Sequence, residues 1–344
     1  MKTFLITGGA GFIGSNFVHY IYNKYPDYRI LVLDLLTYAG SVDNLPTGFH
    51  EATAKGRMEF WYGDVRNASL VDSLVRRADV VVHFAAETHV TRSIFDNHHF
   101  FETDVLGTQV VANAILRAGS IERFVHISTS EVYGTARAPL MSEEHPLMPL
   151  SPYASAKAGA DRLVYSYWAT YQLPAVIVRP FNNFGPRQHL EKVVPRFVTS
   201  CLLDEPLRVH GDGGAHRDWT YVDDTCDALD MMIHSKPELV VGEVFNIGQA
   251  ESRSVLDIAK SVVGRMNKSE NLITFVGERP GQVFRHTADA RKAADILGWK
   301  PRVSFQEGLD RTIAWYEANR AWWQKQLWLR DVPIVTGSGR RELH

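Results

Sequence analysis

Short apolar runs alternate with longer amphipathic ones through the first half of the chain, the rhythm expected of βαβ units on a parallel sheet. Strand-like runs fall at 3–7, 29–34, 58–64, 79–86, 123–129 and 175–180, with helical patterns such as 12–25 and 104–119 between them. After about residue 185 the rhythm breaks. Prolines and glycines multiply in 185–197 and 205–214, and the later helical patterns at 254–266 and 306–323 no longer alternate with long strands. The pattern predicts an α/β fold: a doubly wound parallel sheet, mainly residues 1–180, and a smaller C-terminal α/β lobe, mainly 181–330, followed by a tail at 331–344. No repeat or low-complexity linker separates the lobes, so they are expected to share a cleft. The aromatic stretch 315–329 is read as a core-packing helix.

Composition narrows the class without naming a function. The 344 residues suffice for a full core, and 45% hydrophobic with 22% charged is ordinary for a globular protein. A formal net charge of -2 gives no nucleic-acid footprint, so any anionic ligand must be met locally. Cys201 and Cys226 lack disulfide or metal spacing and are expected in the core. The N-terminal apolar run is short and broken by glycines, and no run approaches the ~20 apolar residues of a membrane span. A cytoplasmic location is expected.

The first chemistry lies at Gly8-Gly9-Ala10-Gly11-Phe12-Ile13-Gly14, directly after a strand and before a helix. Such glycines permit a tight turn and let backbone approach a pyrophosphate, while the helix N-terminus offers unpaired N–H groups. Asp34 ends the next strand, where a carboxylate accepts ribose hydroxyls and repels a 2′-phosphate. The reading is a Rossmann-type domain holding NAD rather than NADP. Asp64-Val65, after the third strand, either faces the adenine or only caps the strand end.

The second lies where a strand-like run stops in Ser128-Thr129-Ser130-Glu131. Nearby, Ser151-Pro152 has the form of a helix start, which puts Tyr153 and Lys157 four apart on one face. A phenol is a poor base at neutral pH, and a neighbouring ammonium is expected to favour the phenolate. Tyr153 is then a base for a substrate hydroxyl while a hydride leaves.

These stretches together resemble the extended short-chain dehydrogenase/reductases that act on nucleotide sugars, above all the dTDP-glucose 4,6-dehydratase group. The likeness covers most of the chain and is carried by TGGAGFIGSNF (7–17), LLTYAGSVDNL (35–45), HFAAETHVTRS (83–93), STSEVYG (128–134), SPYASAKAGADRLV (151–164), FNNFGP (181–186), EKVVP (191–195), HGDGGAHRDWTYVDD (210–224), ERPG (278–281) and LGWKP (297–301). The resemblance implies an NAD-dependent nucleotide-sugar 4,6-dehydratase. It implies that Thr129, Tyr153 and Lys157 oxidise C4 and that Glu131 removes the C5 proton. Glu87, Thr91, Asn182, Lys192, Val193, Arg208, His210, Arg217 and Arg279 are implied to hold the nucleotide sugar, with 207–211 bordering the base. It also implies a homodimer through a four-helix bundle of 104–119 and 153–172.

Three positions depart from the dTDP-glucose pattern. Ser130 stands where most of that group carry the Asp that protonates the leaving C6 hydroxyl; Thr91 replaces an Asp, and Gln282 a His. A serine hydroxyl is too weak an acid to replace the Asp directly. Either Glu131 serves both proton steps, or no hydroxyl leaves and the chain is a UDP-glucuronate decarboxylase. A 4-epimerase needs neither step, and an NAD-binding sensor or scaffold needs none of Thr129, Glu131, Tyr153 and Lys157. Decarboxylation calls for a cation near a sugar carboxylate, for which the sequence offers Arg92, Arg187 and Arg285.

Overall fold

The computed structural model describes residues 2–46, 48, 51, 56–278, 283–335 and 341–343. Its strands relevant to the site are β1 (Thr3–Thr7), β2 (Arg29–Asp34), β3 (Met58–Tyr62), β4 (Val80–His83), β5 (Arg123–Ile127), β6 (Ala175–Pro180), β7 (Asn182–Phe184), β8 (Leu207–His210), β9 (His216–Tyr221), β10 (Val244–Ile247), β11 (Ser252–Ser254) and β12 (Ile273–Val276). Seven form a sheet in the order β10-β6-β5-β4-β1-β2-β3, and each of its pairings is parallel. The order turns at β1, where parallel α/β sheets open a crevice at the carboxyl ends of their strands.

Alternating burial builds the two outer layers. Phe4 and Ile6 of β1 pack on one face with Phe17 and Ile21 of α1 (Phe12–Lys24), while Leu5 faces the opposite core with Val71, Val111 and Val164. All of these are completely buried. Both sheet faces are therefore covered, which explains strands that read as unbroken apolar runs. A separate core joins β8 and β9 to the helices of the second half, with Tyr316 and Trp323 fully buried in it. Cys201 and Cys226 are free and buried.

Five elements differ from expectation. The third, fourth and fifth strands end earlier than their apolar runs, at Tyr62, His83 and Ile127, because the residues beyond turn into the cleft rather than continue the ladder. The helix expected over 104–119 begins as a π-helical stretch, Phe101–Gly107, before becoming α-helical at Thr108–Ala118. That widened turn carries Asp104, whose Oδ1 accepts the Glu87 N–H at 2.7 Å. The pattern at 306–323 resolves into two helices, Phe305–Ala318 and Arg320–Gln324. The sheet also takes β10 from the second half of the chain, antiparallel to nothing and hydrogen-bonded only to β6.

Candidate active site

The crevice at the strand ends is a cleft with a cavity volume of about 460 Å³. Its floor starts at the glycine turn. Gly8 has φ +67°, and a side chain there would lie 2.5 Å from Ala85 N; a Cβ on Gly14 would meet Gly8 O at 2.2 Å. Backbone therefore comes as close as backbone can, and the first turn of α1 carries no acidic residue to oppose an anion. Asp34 closes the turn from beside: Oδ2 accepts the Ala10 N–H at 2.9 Å and Oδ1 the Leu36 N–H at 2.8 Å. A carboxylate has about four acceptor positions, so two remain for a ribose. Burial raises its proton affinity, and those two N–H bonds work against the rise. Asp64 also lines the cleft with Val65, but it is held by Arg66 through N, Nε and Nη2 at 2.7–2.9 Å.

The opposite wall is built from the end of β5. Thr129 caps a single 3₁₀ turn, Ser130–Tyr133, its hydroxyl accepting the Glu131 N–H at 3.2 Å. The turn points Glu131 toward the cleft and buries Ser130 beneath it. Ser151 caps the helix Pro152–Tyr171 by accepting the Ala154 N–H at 3.1 Å, and proline takes the first helical position as expected. Lys157 on that helix is buried and donates to Ile127 O at 2.7 Å, pinning the helix to the end of β5.

The expected effect of Lys157 on Tyr153 is not what governs the phenol here. Its low-dielectric surroundings push its pKa up, with Asp104 and Glu131 adding to the rise and the Thr129 and Thr88 hydroxyls opposing it. Burial also lowers the Lys157 ammonium, against Asp104 and Asp161. Asp104 itself is pushed up to about 8 by burial, and its Oδ2 has no hydrogen-bond partner among the described residues.

Every residue assigned to the cofactor, to catalysis or to the nucleotide sugar of a dehydratase lines this one cleft, apart from Arg279, which lies outside the described residues with Gln282. Thr91 is buried in the wall and Glu87 half-buried. Lys192, Arg208 and Arg217 bring cations from three different segments of a nearly neutral chain. Arg92, Arg187 and Arg285 are absent from the lining. Arg92 instead bonds Glu191 at 2.9 Å and stacks over Tyr38 at 3.8 Å, Arg187 bonds Asn16, and Arg285 bonds Ala138 O.

Sequence reasoning gave no role to Tyr38, Thr88, Glu191 or His286. Tyr38 donates to the Thr88 carbonyl at 2.9 Å and is 2.8 Å from Glu191 Oε1, tying the loop after β2 to the loop before residue 193. Tyr38 and Glu191 sit inside stretches that carried the resemblance, but nothing in their spacing showed that they meet. His286 lies under Ser130, more than a hundred residues away in sequence, and only the fold signals it.

The GDP-mannose 4,6-dehydratase family matches residues 5–312. The chain belongs to that family. Within it, the chain is 46% identical over 312 residues to the low-salt glycan biosynthesis protein Agl12 of Haloferax volcanii, covering 91% of this chain and 97% of the relative. It is 43% identical to a dTDP-glucose 4,6-dehydratase of Streptomyces antibioticus, covering 93% and 94%. Among solved structures it is similar to DesIV of Streptomyces venezuelae, a dTDP-glucose 4,6-dehydratase with NAD and TYD bound. There the TM-score is 0.88 at 40% identity, over 94% of this chain and 99% of the other. The family likeness thus spans both lobes and the cleft between them.

Proposed function

We propose that this GDP-mannose 4,6-dehydratase family member is an NAD-dependent nucleotide-sugar 4,6-dehydratase, turning a nucleoside-diphosphate hexose into its 4-keto-6-deoxy form. The observation that carries the reading is the convergence of Thr129, Glu131, Tyr153 and Lys157 on a cleft that also holds the glycine cradle. Binding alone requires none of those four. The cradle fits a dinucleotide: the space a Cβ would fill at Gly8 and Gly14 is closed to side chains, and Asp34 keeps acceptor capacity for a ribose lacking a 2′-phosphate. NAD supplies a reversible two-electron hydride acceptor when bound.

The chain's own residues divide the remaining work. Lys192, Arg208 and Arg217 meet the diphosphate and nucleotide, where cations and N–H donors are needed. Asn182, Val193 and His210 complete that wall, and Glu87 and Thr91 border the sugar. Thr129 orients the C4 oxygen, Tyr153 takes its proton and Lys157 favours the phenolate once substrate and cofactor fill the cleft. Oxidation at C4 acidifies the proton at C5, which Glu131 removes; the C6–O bond then breaks to leave a C5=C6 double bond and water.

We assign the cofactor mainly to residues 1–180 and the sugar nucleotide mainly to 181–330, and the location to the cytoplasm. No helix of the described residues is long and apolar enough to cross a membrane. A homodimer through the helices at 101–118 and 152–171 is supported by exposed Phe101, Leu106, Leu116, Tyr165 and Tyr171 on them. Mass analysis after incubation with candidate nucleotide sugars tests the function. Loss of water from a neutral hexose is expected. Loss of carbon dioxide from a uronic acid would establish the decarboxylase, a change of configuration at constant mass the epimerase, and no turnover a binding role. The engagement of Arg92, Arg187 and Arg285 away from the cleft weighs against decarboxylation.

A further inference from the structure

Ser130 cannot act as the acid for the leaving hydroxyl alone, and it does not stand alone. His286 lies directly beneath it, completely buried, with Nδ1 3.4 Å from Ser130 Oγ and 3.8 Å from Glu131 Oε1. Its other nitrogen, Nε2, is 2.7 Å from the Gly134 carbonyl oxygen. A carbonyl only accepts, so Nε2 carries a proton and the tautomer is locked with Nδ1 as the exchangeable position. The Phe181 ring, edge-on at 6.2 Å, fixes the imidazole plane from another side.

Nδ1 therefore faces a hydroxyl and a carboxylate from a completely buried ring. A lone pair and a carboxylate oxygen turned toward each other repel unless a proton lies between them. Burial lowers the proton affinity of the imidazole, helped by Arg217 and His145 and opposed by Glu131 and the Gly134 carbonyl. With Nε2–H held by the Gly134 carbonyl, Nδ1 is the position at which the ring can receive a proton and pass it on.

Building on the dehydratase reading, we propose that His286 is a positioning and proton-relay residue that links Glu131 to Ser130 during elimination. Glu131 takes the C5 proton while the C5–H electron pair forms the C5=C6 double bond and the C6–O bond breaks. A rotation of the Glu131 side chain that closes the 3.8 Å gap to hydrogen-bond distance lets the proton move from Glu131 to His286 Nδ1. Ser130 Oγ gives its own proton to the departing hydroxide, forming water, and is refilled from Nδ1. All three side chains end as they began, and the proton lost from C5 balances the one gained by the leaving group. The strand end thus does with a serine and a buried histidine what a single carboxylic acid at position 130 does alone.

The test uses the full chain with NAD and a nucleotide hexose that the wild type dehydrates. His286→Gln keeps an amide N–H in place of Nε2 for the Gly134 carbonyl and removes the relay site. It is expected to form reduced cofactor at the wild-type rate with unchanged KM, and to lose at least about tenfold in release of 6-deoxy product. In deuterated water it should exchange deuterium into C5 faster than it eliminates, because Glu131 still takes that proton and returns a solvent-derived deuteron to C5, while the proton has no route through position 286 to the leaving hydroxyl. Glu131→Gln should do neither. Ser130→Ala should show the same exchange without elimination, and the Ser130→Ala/His286→Gln double variant should be no slower than either single one. Elimination by His286→Gln within about twofold of wild type, or additive losses in the double variant, would overturn the relay. Should His286→Gln fail to fold, as judged by its melting transition, Ser130→Ala carries the same exchange signature, and normal elimination there overturns the proposal equally. A wild type that dehydrates no hexose overturns the functional reading instead.

Discussion

The two ends of the cleft are held by different means. At the glycine turn the backbone does the holding: a left-handed Gly8, a close contact at Gly14 and two main-chain N–H groups on Asp34, all within 36 residues of one another. At the sugar end, side chains from distant segments do it: Thr129 and Glu131 after β5, Lys157 from a helix, Arg217 from β9 and His286 from the loop beyond β12. A backbone cradle tolerates no added atom yet asks little of side-chain identity. A side-chain wall tolerates changes of shape but depends on each functional group, so the two ends should fail in different ways.

The largest effect is expected at the sugar end. Tyr153→Phe deletes one proton-transferring oxygen and little packing, so it should cost about 100- to 10,000-fold in C4 oxidation while nicotinamide still co-purifies. Near-normal turnover would remove Tyr153 as the base. Next comes Gly14→Ala, the converse experiment. Its Cβ would meet Gly8 O at 2.2 Å with only backbone to yield, so bound nicotinamide, assayed after denaturation, should disappear even though every catalytic side chain remains. If the cofactor is retained at full occupancy, the cradle is looser than its geometry.

A stability test separates the junction of the two ends. Glu191 is fully buried between Tyr38, Arg92 and Lys192. Burial opposes its charge, but His89, Lys192, His189 and Arg92 outweigh this and hold its pKa down to about 2. A depressed carboxylate contributes stability above its unfolded value, 4.5 for a glutamate, and loses it as pH falls toward 2. The contribution is on the order of 3 kcal/mol, so Glu191→Gln should unfold more readily at pH 7 and lose the wild type's sensitivity to acid between those limits. Parallel acid-melting curves for both proteins would contradict this. The smallest effect is expected from Asp34→Ala, which should relax the preference for NAD over NADP while leaving proton chemistry untouched. A wild type that binds NADP better than NAD would reverse the reading of Asp34.

The contrast also explains what could be read in advance. The glycine turn, Asp34, the Ser151 cap and the Tyr153–Lys157 spacing are local, and local patterns survive in sequence. The parallel sheet was legible for the same reason, since each βαβ unit announces itself within about 30 residues. The ends of β3, β4 and β5 were not, because an apolar run does not show where its residues stop bonding to a neighbour and start lining a cavity. The π-helical stretch at 101–107 escaped because its purpose, delivering Asp104 to Glu87, depends on a partner in another element. His286 is the extreme case: one of 14 histidines, with its meaning set wholly by what folds above it. Ser130 looked like a loss in the sequence, and only its neighbour gives it a use.

The placement of β10 has a consequence for anyone who would take the protein apart. Because Val244–Ile247 completes the sheet beside β6, the polypeptide crosses from one lobe to the other and back before it ends. A fragment stopped at Pro180 would keep every glycine of the cradle but lose the strand that covers Ile177 and Val178. It would present a naked, flat, aliphatic border ready to recruit any passing strand. The first 180 residues are therefore not a cassette that can be lifted out and fused elsewhere; any redesign of the cleft has to leave this returning strand where it is.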